Sequence, residues 1–336
     1  MSSNHILIIG AGSLGAFFAS RFASTGAKVS VLCRSNFQAV QASGLKVTSS
    51  TFPEQTIQPT YTFSSRHHAL ESKHKDRISW TYIFIATKVI PEAGDPSVLL
   101  EGLLDETSTI VLIQNGLDIE EPYRQRFPQT PIISAVTRAS CAKISPTHIQ
   151  HKNWTRTTLG PYAPDGEKKH AEQRTSEFAK LLQNSGIPDV DLLDHTGMQF
   201  ARWHKTGINA AMNPTSCLCL GPTNQTMSLD PEIYIHQTNV MREILTAAEK
   251  CLGQPVPRDL NLPDVDWVFL NAREDGSGSQ PSMWSDWEAG RGVEVEVILG
   301  NAVRRGREVG VEMPRTQTLY ALLRMAVEMR DRGNGN

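Results

Sequence analysis

An α/β half followed by an all-α half is the fold class this sequence predicts, and three observations carry it. A glycine turn joins a short apolar strand to a helix within the first 26 residues. Apolar runs that end in polar residues then recur as far as residue 140. From about residue 196 the apolar positions change to helical spacing. The break near "SGIPDVDLLDHTG" predicts one domain over residues 1–193 and another over 194–336.

Taken in order, "HILII" at 5–9 reads as a buried strand, "GAGSLGAFFASRFASTG" as a glycine turn opening a helix, and "KVSVLCR" as a second strand. Strand, glycine turn, helix and strand within about 30 residues make a βαβ unit, whose crossover is right-handed. "LKVTSS" (45–50) and "IQPTYTF" (57–63) read as further strands, and the polar "SSRHHALESKHKDR" as a surface excursion with solvated histidines. "WTYIFIATK", "STIVLIQNG" and "TPIISAVTRAS" are apolar runs with polar ends, as expected of parallel strands whose carboxyl ends line a binding crevice. "THIQHKNWTRTTLGPY" alternates and suggests an antiparallel pair at the end of the sheet. Beyond it, residues 196–218, 231–253, 282–310 and 318–332 follow the helical period, separated by segments rich in Pro and Gly. The "RGNGN" tail is expected to fray.

The chain has 336 residues, 39% hydrophobic and 20% charged, with a formal net charge of −2. That suffices for two domains with a core each and matches ordinary soluble globular proteins. Without a basic block, neither nucleic acid nor an anionic membrane is an expected partner; a small molecule is, with the chain as monomer or homodimer. Cys33, Cys141, Cys217, Cys219 and Cys251 are odd in number and scattered, which suits reduced intracellular thiols. Cys217 and Cys219 lack a second Cys/His pair at zinc-ligand spacing, so no metal is expected. The chain runs straight into "HILIIGAG" and has no apolar stretch near the ~20 residues of a membrane span, so a cytoplasmic location is expected.

Gly10-Ala11-Gly12-Ser13-Leu14-Gly15 fits G-x-G-x-x-G. Its glycines permit a tight turn, close approach of a pyrophosphate and close helix–strand packing, while the helix start offers N–H donors. Following an N-terminal strand and opening a helix, the motif predicts a Rossmann-type dinucleotide-binding domain. Sites for NAD usually carry an acid at the end of the second strand; here that strand ends in Arg34. A guanidinium pairs with a 2′-phosphate, so NADP(H) is favoured, the alternative being a solvated strand-end charge.

In "ARWHKTGINAAMNPTS", Lys205, Asn209 and Asn213 recur every four residues. Each step drifts only ~40° around a helix, so the three share a sector of ~80°. Phe200, Trp203, Ile208, Ala210, Ala211 and Met212 surround them, leaving little of the helix fit for water. Buried amides need partners or a polar ligand, because leaving each unpaired costs about 1–3 kcal/mol. A lysine held there has its charged form disfavoured, which suits a proton donor near neutral pH.

With these blocks in place the chain resembles the ketopantoate reductase (2-dehydropantoate 2-reductase) family nearly end to end. The resemblance rests on "GAGSLG" with Arg34, "ATK" ending at Lys88, "QNG" at 114–116, "WHKTGINAAMNP", and "SMWSDWEAGRGVEVEVILG". It implies an NADPH-dependent oxidoreductase acting on the C=O of a 2-oxo acid or related ketone, with a helical substrate and catalytic domain. Lys205 would be the general acid, Asn209 and Asn213 would orient substrate and lysine, and Asn115 would stand where cofactor meets substrate. Gly10 to Gly15, Arg34 and Lys88 would hold NADPH. Ser282 would bind a substrate carboxylate, an N-cap role being the local alternative, and Glu294 would pair with Lys205 beside the cofactor. Glu294 alternates with Glu296 among valines, and only the resemblance selects Glu294. Asp286 and Arg291 read as structural ion-pair residues, and Trp284 and Trp287 as packing groups or pocket walls.

The chain departs from that family at its substrate rim. Arg138-Ala139-Ser140-Cys141 stands where a small or His-Gly segment is usual, and Arg138 could bind an acid group. "QHKNWTRTTLG" replaces a glycine-rich hairpin, Ser279 stands where Asn is common, and Thr223 or Asn224 would match a displaced amide. Such changes suggest the same chemistry on a larger 2-oxo acid, ketone or cyclic imine. Two alternatives remain: an opine- or hydroxyacid-type dehydrogenase, for which His204 and His236 lack an acid partner at helical spacing, and a non-redox isomerase, cyclase or binding module on the same fold.

Overall fold

The computed structural model describes residues 4–152, 155–164 and 168–333. Asn153 and Trp154 of the replaced hairpin, and the last three residues of the tail, lie outside them. The strands are β1 (His5–Ile9), β2 (Lys28–Leu32), β3 (Leu45–Ser49), β4 (Gln55–Ile57), β5 (Tyr61–Phe63), β6 (Tyr82–Ile85), β7 (Thr109–Leu112), β8 (Ile132–Arg138), β9 (Cys141–Lys143), β10 (His148–His151), β11 (Arg156–Pro161) and β12 (Asp189–Leu192). The helices are α1 (Ser13–Ser24), α2 (Phe37–Ser43), α3 (Arg66–Asp76), α4 (Glu121–Arg126), α5 (Lys168–Asn184), α6 (His195–Leu218), α7 (Asn224–Leu229), α8 (Pro231–Leu252), α9 (Val265–Arg273), α10 (Ser282–Glu288), α11 (Asn301–Glu308) and α12 (Pro314–Gly333). They fall into two compact units: 1–87, 95–114 and 120–198; then 88–94, 115–119 and 199–336.

The first unit is α/β. Its main sheet runs β12-β11-β8-β7-β6-β1-β2-β5, and the strands from β8 to β5 are mutually parallel. β1 and β2 pair in parallel, as the opening βαβ unit requires, with Ile6 opposite Val29 and Ile9 opposite Leu32. Continuous apolar runs form these strands because both faces are covered: Ile6 to Ile9 and Ile110 to Leu112 are fully buried. Helix α1 fills one face through Phe18 and Phe22, which meet Phe84 and Phe178 as a cluster of aromatic rings, and through Phe17, which packs on Phe18, Phe52 and His151. Each such buried ring contributes about 1.5–3 kcal/mol of transfer free energy.

Three local expectations of this unit are corrected. The polar stretch after Phe63 is not an excursion but α3, started by Ser65, whose hydroxyl accepts from the His68 N–H at 3.2 Å. An N-cap, buried Ala69 and half-buried Leu70 suffice to hold a helix that is polar elsewhere. The run 57–63 divides: β4 joins a small sheet, β4-β3-β10-β9, and β5 the main one. The alternating stretch at 148–161 also divides rather than pairing with itself. Its first part, β10, lies parallel to β3, and its second, β11, antiparallel to β8. Alternation identifies strands but not their neighbours.

The second unit is helical. Helix α8 packs on α7, α9, α11 and α12. Helix α6 continues through Pro214, one turn short of its end, where the Thr215 hydroxyl donates to the Ala211 carbonyl at 2.7 Å. The region 282–310, expected as one helical run, is α10, an irregular stretch, then a π-helical turn over Glu296–Gly300 that leads into α11. Gly290 and Gly292 interrupt the period, so the break is where glycine costs a helix most. Among the described residues no helix is long and apolar enough to cross a membrane.

Candidate active site

In the first unit the glycine turn has the geometry its spacing implies. Gly10 adopts φ +98°, and a Cβ there would lie 2.9 Å from the Thr87 methyl. A Cβ on Gly15 would stand 1.9 Å from the Gly10 carbonyl oxygen, which no side chain could relieve. Around Gly12 a Cβ would meet nothing within 4 Å, and Gly12 caps α1 with no side-chain hydrogen bond. The first N–H groups of α1 are therefore free of a side-chain cap beside open space, a setting that suits an anion. Arg34 is exposed, two residues past the end of β2. Neighbouring Asn36 was not anticipated: it is buried, and its Nδ2 donates to the carbonyls of Ala11 and Pro146, each at 3.0 Å. No periodicity marks such a residue, because its partners are distant in sequence. Gln114 supports Thr87 similarly, its Nε2 donating to the Thr87 carbonyl at 2.8 Å.

The lysine stripe lies in the second unit, and it is not a solvated surface. Asn209 and Asn213 are 8% and 4% exposed, and Lys205 is half-buried. Phe200, Trp203, Ala210, Ala211 and Met212 are buried around them. No side-chain hydrogen bond of either amide is found among the described residues, a setting that suits a polar ligand.

Segments 88–94 and 115–119 follow β6 and β7, and both belong to this second unit. The second is tied down at every step. Buried Arg202 donates to the Gly116 carbonyl at 3.2 Å, Leu117 N–H to the Val297 carbonyl at 2.9 Å, and Asn301 to the Leu117 carbonyl at 2.7 Å. Gly116 has φ +98°, and a Cβ there would fall 2.6 Å from the Val297 carbonyl oxygen, so only glycine fits. These ties bring Asn115 to Glu294, 179 positions away, where Nδ2 donates to Oε2 at 3.3 Å. The other carboxyl oxygen accepts from Val89 N–H at 3.4 Å.

Glu294 is 7% exposed. Burial raises its pKa above the usual carboxylate value, against the opposing pull of Lys88, Asn115 and the Val89 N–H. Glu296, its alternate, is instead taken up by Arg304 at 2.8 Å and the Tyr320 hydroxyl at 2.7 Å. Lys88 pairs with buried Asp286. Burial lowers the Lys88 pKa, Glu294 opposes this and Arg291 adds to it.

The remaining rim residues spread out. Ser282 is the exposed first residue of α10, and Pro281 holds the N-cap position, so Ser282 does not cap. Thr223 caps α7, whereas Asn224 Nδ2 donates to Ser279 Oγ at 3.1 Å and leaves Oδ1 buried without a partner among the described residues. Asn224 also lines a depression of about 360 Å³ with Met212, Val268, Asn271 and Ala272. Trp284 covers Gly221, and Trp287 stacks under Arg330 at 4.7 Å, so both pack within this unit. His204 Nε2 lies 2.7 Å from the Pro263 carbonyl. In the first unit, Arg138 ends β8 half-buried and directly opposite Arg156, whose charge is met by Asp191 at 2.5 Å.

Comparison with known proteins agrees along the chain. The family model "Ketopantoate reductase PanE/ApbA" matches residues 6–164, and "Ketopantoate reductase PanE/ApbA C terminal" matches 198–327. A 2-dehydropantoate 2-reductase of Nostoc sp. is 24% identical over 328 residues, 96% of this chain and 95% of its own. Among solved structures, a 2-dehydropantoate 2-reductase from Methylococcus capsulatus is 30% identical with a TM-score of 0.80, covering 97% of both chains. D-mandelate dehydrogenase, solved as a ternary structure with NADH and anilino(oxo)acetate, is 18% identical with a TM-score of 0.79 over 97% of this chain and 99% of its own, a likeness of fold.

Proposed function

The chain belongs to the ketopantoate reductase family, oxidoreductases acting on a keto group, and from that premise we propose that it reduces a 2-oxo acid with NADPH, Lys205 giving the proton. The observation that carries the reading is the stripe on α6: a half-buried lysine in line with two buried side-chain amides that have no partner among the described residues. A reduced nicotinamide, when bound, supplies the hydride. The chain's own residues do the rest. The Gly10–Gly15 turn and the start of α1 receive the pyrophosphate, and Arg34 meets the 2′-phosphate that distinguishes NADPH from NADH. Asn209 and Asn213 donate to the substrate and orient it. As the carbonyl oxygen becomes an alkoxide, the Lys205 ammonium stabilises the charge and then transfers its proton there. Asn115 is oriented by Glu294, which the family resemblance also pairs with Lys205.

A second reading concerns the substrate. Arg138 and the Asn224–Ser279 pair alter the rim while the stripe is intact, which favours a 2-oxo acid larger than ketopantoate, or a related ketone or cyclic imine. The D-mandelate dehydrogenase of similar fold holds NADH with anilino(oxo)acetate, so the cofactor preference is tested alongside. NADPH oxidation is followed with ketopantoate and a panel of bulkier 2-oxo acids, each repeated with NADH. Turnover in wild type, its loss in Lys205→Ala with NADPH still bound, and no rescue by Lys205→Arg are expected. Normal turnover in Lys205→Ala removes the proton-donor role, and cofactor binding without oxidation across the panel favours a non-redox protein.

A further inference from the structure

A buried carboxylate to which the reaction above gives no part holds the helical unit's other polar-site lysine. Asp286, on α10, is 6% exposed. One of its oxygens pairs with Lys88 Nζ, and the other accepts from Arg291 Nε at 2.9 Å. Arg291 is fixed in turn, its N–H donating to the Asp286 carbonyl at 2.8 Å and its guanidinium to the Ser285 carbonyl at 2.9 Å. The charged groups facing Lys88 are thus Asp286, Glu294 and Arg291, all in one compact unit.

The two carboxyls are not equivalent. Glu294 already receives hydrogen bonds from Val89 and Asn115, and its burial favours the neutral form. Glu294 supports the Lys88 ammonium from its side, but a carboxyl drawn towards neutrality is a weak counter-ion, and Asp286 is the carboxylate in direct ion-pair contact with Nζ. Lys88 keeps 41% of its side-chain surface exposed, and the partial desolvation that remains, together with Arg291, works against that charge. We infer that Asp286 is a positioning residue for cofactor binding: it clamps Lys88 and keeps it an ammonium able to meet an anionic oxygen of the dinucleotide. The inference rests on the proposed role of Lys88 in holding NADPH.

The test measures NADPH affinity of the full chain by nicotinamide fluorescence between about pH 6.5 and about pH 9.5, a range in which a lysine deprived of its counter-ion titrates. Values are read as variant over wild type, which cancels titration of the 2′-phosphate. Lys88→Ala comes first. If affinity is unchanged at every pH, Lys88 does not serve the cofactor, and the premise falls rather than the clamp. With the premise intact, Asp286→Asn is expected within ~3-fold of wild type at the acid end and to weaken by up to ~10-fold per pH unit once Lys88 loses its proton. Asp286→Glu, which keeps the charge, should run parallel to wild type. Adding Lys88→Arg to Asp286→Asn should abolish the pH dependence, since a guanidinium stays charged throughout. A loss of equal size at every pH, or none, overturns the inference. So does Arg291→Ala reproducing the pH-dependent loss, for Asp286 would then act through Arg291. Asp286→Ser replaces the asparagine variant if that variant does not fold.

Discussion

Six consecutive residues make the glycine turn, whereas the cluster around Glu294 joins Val89 and Asn115 to it across 205 and 179 positions. The turn works through backbone: a positive φ at Gly10, a missing Cβ at Gly15 and uncapped N–H groups at the start of α1. The cluster works through side chains with displaced pKa values, buried Glu294 pushed up and the partly desolvated Lys88 pulled down. A backbone site is written in short-range spacing and breaks by steric clash. A side-chain site is written in tertiary contacts and breaks by loss of a charge or a donor.

The sharpest test of that contrast is Lys205→Ala, which should lower turnover by ~10²–10⁴-fold, the usual worth of a positioned proton donor. NADPH affinity, measured by fluorescence, should change little, since the turn is untouched. A comparable loss of affinity would mean that the two regions are not separable. Next, Arg34→Glu should reverse the cofactor preference. Placing an acid against a 2′-phosphate is expected to weaken NADPH by ~10–100-fold, and NADH kinetics should improve or hold. Equal effects on both cofactors would deny Arg34 its discriminating role.

Within the turn, Gly15→Ala and Gly12→Ala should part company. The first forces a methyl against the Gly10 carbonyl and should cost about 1–3 kcal/mol of stability, read as a lower midpoint in urea. The second enters open space and should spare stability while weakening NADPH binding. Equal stability of the two variants would undo the packing argument.

Glu294→Gln gives the smallest and most telling effect. The raised pKa means that the folded state binds this proton more tightly than the unfolded state does. The resulting cost is absent below the ordinary carboxylate value of 4.5 and grows as pH rises through the folded pKa. A neutral amide removes it, so the variant should melt at or above the wild-type temperature at neutral pH, by ~2–4 °C for each kcal/mol relieved, with the gap closing towards pH 4. Activity should fall although stability does not. A variant less stable than wild type at neutral pH would show that Glu294 is a structural ion-pair residue instead.

Legibility follows the same contrast. The βαβ opening, the apolar strands and the helical second half could be read in order, because periods of 2 and 3.6 and a glycine spacing are local properties. The lysine stripe was legible for that reason too, since four-residue spacing fixes one helix face whatever surrounds it. Strand partners were not: β4 and β5, or β10 and β11, look alike in sequence and pair in different sheets. Asn36 and Arg202 carried no signal, as each is defined by a carbonyl 25 or more positions away.

The sequence by itself determined the fold class, the glycine elbow, the arginine beyond the second strand and the polar line on α6, since each depends on residues within a few turns or strand lengths. Only the tertiary structure decided that the line is buried, that Glu294 rather than Glu296 faces Asn115, and that Asp286 holds Lys88. Burial and charge pairing are set by whichever distant segments happen to exclude water from a side chain, and no local spacing encodes which segments those will be.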